Sequence, residues 1–200
     1  DPFEQTMKIG EHELSIDPRF CTDATRFVSL SRNNTNILMW SHYANNHSGI
    51  CIGFNTEITP FNTATAITYS NERPKAEFNS DPNKLIERVL LTKSQHWLYE
   101  KEWRAIKRTI EDDELNFYNE IFKADAARLE EIAEIIEQYG GPNTYRFDTS
   151  EIRSIFLGAR ITQENKETLT QTIRTACPHA KIFQIELDNN YFWLNQKQLK

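Results

Sequence analysis

Three consecutive segments near the end of the chain, EIRSIFLG (151–158), TQENKETLTQTIRTAC (162–177) and AKIFQIEL (180–187), constrain the fold most. The first is a short apolar run rich in β-branched residues. The third alternates apolar and polar residues with the period of two that a half-buried strand requires. The middle segment is amphipathic at helical spacing, with Thr162 placed to cap its first turn. Strand, helix and strand of this kind call for a sheet with helical cover.

Further strand runs occur at RFVSLS (26–31), ICIGF (50–54), which reads as buried, and ATAITYS (64–70). Residues 1–24 are of mixed polarity and read mostly as loop, with turn signals at Gly10 and Asp17–Pro18. Asn33, Asn34 and Thr35 offer caps before NILMWSHYANN, where Leu38, Met39, His42 and Tyr43 share a helical stripe. Asp81–Pro82 opens a second helix, expected to run through NKLIERVLLTKSQHWL with Leu85, Val89, Thr92 and His96 at helical spacing. The longest helical signal lies in residues 111–142, with Ile121, Phe122, Leu129, Ile132 and Ile136 in a stripe and a stop at Gly140–Pro142. The expectation is one α+β domain over residues 1–200: a mixed β-sheet core, flanking helices and a helical insertion at about 111–142.

Charge and cysteine content narrow the function. The formal net charge is −6, from 23 basic and 29 acidic residues, so no extended nucleic-acid-binding face is evident. Cys21, Cys51 and Cys177 are odd in number and lack a C-x-x-C spacing, a poor framework for disulfides or zinc. A reducing, cytoplasmic location is expected. No apolar run approaches the roughly 18 residues of a membrane helix, so no membrane partner is expected.

One stretch carries unusual charge. In WLYEKEWRAIKR (97–108), read as a strand from about Lys101 to Arg108, alternation sets Glu100, Glu102 and Arg104 on one face and Tyr99, Lys101 and Trp103 on the other. The ordinary outcome is a surface strand with solvated charges and Trp103 packed inward. Like charges on one face nevertheless repel unless a cation or a donor lies between them. Arg104 meets only part of that demand; a cationic ligand or a transition state that builds positive charge would meet the rest.

LMWSHYANNHSGICIGF (38–54) holds His42 and His47 five residues apart, which misses the same-face spacing of a helical metal pair. His42 is either a general base or a packing residue. Trp40 and Tyr43 are either core or a stacking platform. Ser29 and Ser31 share one face of a strand that runs into Arg32. No Gly-rich phosphate loop, H-E-x-x-H or G-x-S-x-G element is present.

Taken together, DPFE (1–4), SLS (29–31), LMWSHYANNHSGICIGF (38–54), YEKEWR (99–104) and IRSIFLG (152–158) resemble the bacterial domain-of-unknown-function family 2971. In that family a strand–helix segment precedes the DPFE-like stretch, so the resemblance implies an N-terminally shortened chain. The arrangement is similar to mono-ADP-ribosyltransferase folds, with toxin-like and phage-defence members, and implies a split mixed sheet. Such folds carry a first-strand Arg or His, a Ser-x-Ser strand and a Glu-x-Glu or lone Glu on a later strand. SLS resembles the second element and EKE (100–102) the third; the first would lie upstream.

The resemblance implies an enzyme that uses NAD as co-substrate to modify a macromolecular acceptor, protein or nucleic acid, and a partner or antitoxin protein beside it. Glu102 would stabilise the oxocarbenium character that develops on the ribose when the nicotinamide bond breaks. Glu100 would orient or deprotonate the acceptor. Ser29 and Ser31 would position the ribose or support Glu102, Trp40 or Tyr43 would stack on a ring, and Arg32 or Arg104 would contact the pyrophosphate, with His42 lining the site; no metal is required. Two alternatives stay open. One is a phosphodiester or nucleotide hydrolase using Glu100, Glu102 and His42 with a divalent ion. The other is a non-catalytic sensor or interaction module.

Overall fold

A computed structural model describes residues 6–9, 12–15, 26–58, 61–75, 82–107 and 147–199. Strands β1 (Thr6–Ile9), β2 (His12–Ser15) and β3 (Arg26–Ser31) are followed by helix α1 (Ile37–Tyr43), β4 (Ile50–Phe54), β5 (Thr65–Ala66) and β6 (Thr68–Ser70). Then come α2 (Pro82–Leu90), β7 (Thr92–Ser94), β8 (Glu102–Lys107), β9 (Ile152–Leu157), α3 (Gln163–Ala176), β10 (Lys181–Leu187) and β11 (Leu194–Gln198). The fold is α+β. The expected helical insertion at 111–142 lies outside the described residues.

The principal sheet has the order β11-β10-β9-β4 and is mixed: β9 and β10 are parallel, the outer pairs antiparallel. Parallel neighbours need a long crossover, and α3 supplies it. Thr162 caps α3, its hydroxyl accepting from the Asn165 amide, as the sequence predicts. Alternation along β9 sends Ile155 and Leu157 toward α3, where they pack with Ile173, Cys177 and Ile182. Phe156 points to the other side and joins Trp40 and Ala44 at α1, with Ile185 and Leu194. The sheet is thus covered on both faces. Leu157 and Ile185 are fully buried, and each such side chain contributes roughly 1.5–3 kcal/mol of apolar burial.

Several local expectations need correction. Strands β1 and β2 pair antiparallel within the segment read mostly as loop. Helix α1 is capped by Asn36 instead of Asn33, Asn34 or Thr35, and Asn33 accepts from the Thr35 amide in a local turn. The side of α1 that enters the core carries Trp40 and Ala44, while Leu38, His42 and Tyr43 are exposed. Strand β4 is not buried throughout: it is a sheet edge, and Ile50 and Ile52 stay partly exposed. The run 64–70 splits at buried Ile67 into β5 and β6, which belong to different sheets. Helix α2 stops at Leu90; Thr92–Ser94 pair with β6 in parallel, and Gln95–Glu100 form a 3₁₀ turn.

A second sheet, β3-β8-β5, carries the charged residues. The antiparallel register pairs Ser31 with Glu102, Leu30 with Trp103 and Ser29 with Arg104. Directly paired residues share a face, so Ser29, Ser31, Glu102 and Arg104 line one side of the sheet, while Leu30 and Trp103 line the other.

Candidate functional site

Glu100 reaches this face by an unexpected route. It closes the 3₁₀ turn instead of lying on β8, and Lys101 between it and Glu102 adopts the left-handed conformation, φ 47° and ψ 50°. A non-glycine residue there costs roughly 1–2 kcal/mol, which the surrounding contacts must offset. The Lys101 carbonyl accepts from the Arg32 amide at 3.2 Å, and the Lys101 amide donates to the Leu98 carbonyl at 3.2 Å. Ser31 adds a hydroxyl bond to the Glu100 carbonyl at 2.7 Å.

The two carboxylates do not lack a cation, because Lys93 of β7 lies between them. Its Nζ is 2.6 Å from Glu100 Oε2 and 3.0 Å from Glu102 Oε2. Arg104 donates from Nε to Glu102 Oε1 at 2.7 Å and from Nη2 to Oε2 at 3.4 Å. Its Nη1 donates to the Leu90 carbonyl at 2.5 Å. Glu100, Glu102 and Arg104 are 3%, 5% and 3% exposed. The expected faces are therefore inverted: the charges are inside and Trp103 is only half-buried. The demand for a cationic ligand also disappears, since two cations neutralise two anions within the fold.

Hydroxyls complete the set. Ser29 donates to Glu102 Oε1 at 2.6 Å, and Tyr43, at the end of α1, donates to Glu100 Oε1 at 2.7 Å. The Glu102 amide donates to the Tyr69 hydroxyl at 2.8 Å. Asn36 ties the elements together, since its Oδ1 caps α1 while its Nδ2 donates to the Tyr99 carbonyl at 3.1 Å. Helix α1 and the turn bearing Glu100 are thereby locked in register, which places Tyr43 over Glu100.

Electrostatics follow from these partners. Burial pushes the Glu102 carboxyl up, but hydrogen bonds from Arg104 and Ser29, the Arg104 charge and a hydrogen bond from Lys93 outweigh it and hold Glu102 below the usual range. Although much of the Tyr43 ring is exposed, its hydroxyl end is desolvated against Glu100; this, then the bond to Glu100 and that carboxylate's charge, push the phenol up to about 12. Tyr43 is thus a neutral donor at physiological pH. The site combines an ionised, oriented carboxylate with neutral hydroxyl donors.

These groups border a cavity of about 410 Å³, walled by Phe27, Leu30, Met39 and Tyr43 with Ser29, Ser31, Lys93, Glu100, Glu102 and Arg104 as its polar side. Of the residues singled out from sequence, Glu100, Glu102, Ser29, Ser31, Tyr43 and Arg104 meet here. Trp40 does not: it is 2% exposed, and its Nε1 donates to the Asn34 carbonyl at 2.8 Å. His42 is exposed beside Tyr43 and Tyr99, ring centroids 6.2 and 6.4 Å away, and does not line the cavity. Arg32 borders a different cavity across the sheet. Lys93 and Tyr69 are the participants that sequence reasoning missed. The repulsion between Glu100 and Glu102 signalled a missing cation, but nothing in the spacing selected Lys93. Among the described residues, no group of three or more His, Cys, Asp or Glu is placed to hold a metal ion.

Fold and site define an α+β protein with a neutralised acidic pair beside a small-molecule-sized cavity. Residues 39–105 match the model of a family described as Protein of unknown function (DUF2971). That span contains Tyr43, Lys93, Glu100, Glu102 and Arg104 but not Ser29 or Ser31. No curated protein and no solved structure matches the chain. No helix among the described residues is long and apolar enough to cross a membrane.

Proposed function

We propose that the chain is an ADP-ribosyltransferase-like enzyme that takes NAD at the cavity beside Glu102 and transfers its ADP-ribosyl group to a macromolecular acceptor. The observation that carries this reading is the 2.6 Å bond from Ser29 to Glu102, across adjacent strands at the cavity wall. The Ser-x-Ser strand and the Glu-x-Glu segment, separate in sequence, meet through one hydroxyl and one carboxylate.

The cavity is at the small end of the roughly 300–1,000 Å³ range of ligand sites, and suits the nicotinamide–ribose end better than a whole dinucleotide. NAD would supply a glycosidic bond whose cleavage leaves positive character on the ribose. Glu102, ionised and fixed by Ser29 and Arg104, is pre-organised to stabilise that charge. The Ser29 hydroxyl, donating to Glu102, keeps lone pairs to accept from a ribose hydroxyl. Phe27, Met39 and Tyr43 supply apolar and aromatic wall for the leaving ring. Glu100, held by Tyr43 at 2.7 Å and Lys93 at 2.6 Å, is the candidate to orient the acceptor.

The internal neutralisation favours a second reading, a non-catalytic module in which Lys93, Glu100, Glu102 and Arg104 serve as a structural network. Calorimetric titration of NAD with assay of released nicotinamide separates the two. The transferase reading expects saturable binding and nicotinamide release in the wild type, with release lost in Glu102→Gln. That variant removes the carboxylate shown for Arg104 and leaves Glu100 as the one bound to Lys93, so its folding is checked by melting. Ser29→Ala, on an exposed strand position, is the gentler variant and should lower release by roughly tenfold or more. Absence of NAD binding at millimolar concentration would leave the module reading standing.

A further inference from the structure

Arg32 is not absorbed by the site above, and the cavity it borders has its own character. Across the β3-β8-β5 sheet from Glu102, a half-open cavity of about 370 Å³ has Leu30, Phe61, Ala64 and Trp103 as apolar lining, and Ser31 borders both it and the cavity at Glu102. Phe61 is buried and forms firm apolar wall; Trp103 is half-buried and keeps part of its indole accessible. The Arg32 guanidinium lies over the Trp103 ring, its carbon 5.9 Å from the centroid, in a cation–π contact that places the charge beside the indole. Among the described residues no carboxylate pairs with Arg32, and the side chains of Thr56 and Asn62 at the rim make no hydrogen bond.

The geometry points to a second binding site, for a small flat aromatic anion. Its ring would lie against Trp103, and its phosphate or carboxylate would take the Arg32 guanidinium, whose planar fork bonds either group in pairs. Thr56 and Asn62 would supply hydrogen bonds to the ring edge or the anion. A mostly apolar pocket with few convergent polar groups is the usual make-up of a small-molecule site, and the volume is in range. An uncharged aromatic would leave Arg32 unused, while a bare anion would gain nothing from Trp103 and Phe61. This site does not depend on the NAD reading, since Ser29 and Glu102 face the other side of the sheet.

The test uses adenosine 5′-monophosphate and indole-3-carboxylate as probes, with adenosine and inorganic phosphate as the half-ligands, by calorimetry and by the indole N–H signal of Trp103 in a nitrogen-labelled protein. The proposal expects saturable binding of at least one probe, displacement of the Trp103 signal, and half-ligands weaker by roughly tenfold or more. Which probe binds decides between phosphate and carboxylate. Arg32→Gln, at an exposed position, should weaken binding by a similar factor, and Trp103→Leu should do so independently, while Ser29→Ala leaves it unchanged. The proposal is overturned if neither probe saturates at millimolar concentration, or if Arg32→Gln binds as tightly as the wild type. Binding that Ser29→Ala weakens while the Trp103 signal stays fixed belongs to the Glu102 cavity, and overturns it too.

Discussion

Lys93 Nζ lies 2.6 Å from Glu100 Oε2, with both side chains buried. The same ammonium reaches Glu102 at 3.0 Å, so one cation of β7 bridges two carboxylates from a turn and a strand. The face of each strand is a local matter, but the neutrality of this cluster is assembled from β7, the 3₁₀ turn and β8 together.

Lys93→Met is therefore expected to cost roughly 3–5 kcal/mol, because it leaves two buried carboxylates with Arg104 as the remaining cation shown for Glu102. Adding Glu100→Gln removes the uncompensated charge and should return part of that loss, a coupling readable in a double-mutant cycle. Urea denaturation of the four proteins measures it. Strictly additive losses would mean that Lys93 and Glu100 do not depend on each other.

The acid limb of stability should report Glu102. Its folded-state pKa is depressed despite burial, because Arg104, Ser29 and Lys93 favour the ionised form. Such a group stabilises the fold above its unfolded pKa, and the contribution fades as pH falls through the ordinary carboxylate range toward the depressed value. Melting temperature should drop more steeply with acid in the wild type than in Glu102→Gln. Parallel curves from pH near neutral down to the acid transition would contradict the network.

Much of the framework was legible because it is local. The six residues of β3 match the run RFVSLS, and Thr162 caps α3 as its position ahead of an amphipathic segment suggests. Errors arose where long-range pairing overrode spacing. Thr92 and His96 continue the helical interval of Leu85 and Val89, yet pairing with β6 turns 92–94 into a strand. Lys101 carries no glycine to announce a left-handed residue, so Glu100 looked like part of β8. The resemblance implies that Ser29 and Ser31 either position a ribose or support Glu102, and the Ser29 hydroxyl bonds Glu102; Lys93 was invisible, since which cation fills the gap depends on how three elements fold together.

Two tryptophans test the inverted faces. Trp40 fills the cluster around Phe156 and Ile185 with its indole N–H bonded, so Trp40→Ala should cost about 3–5 kcal/mol. Trp103 is half-buried and borders a cavity. Its truncation removes less packing, and the loss should be well under that of Trp40. Equal losses in guanidinium unfolding would show that β8 buries Trp103 instead of its charges.

Tyr43 gives the alkaline counterpart. Burial and its bond to Glu100 raise the phenol from 10.0 to about 12. A raised folded-state pKa means that the contribution is whole below the unfolded value and is lost as pH rises through the folded one. The stability difference between wild type and Tyr43→Phe should hold steady up to about pH 10 and shrink between there and about 12. Ultraviolet titration of tyrosinate should show a late-ionising phenol that Tyr43→Phe removes. If that variant instead removes an ordinary phenol, the hydroxyl does not donate to Glu100, and the carboxylate assigned to the acceptor is held by Lys93 without Tyr43's help.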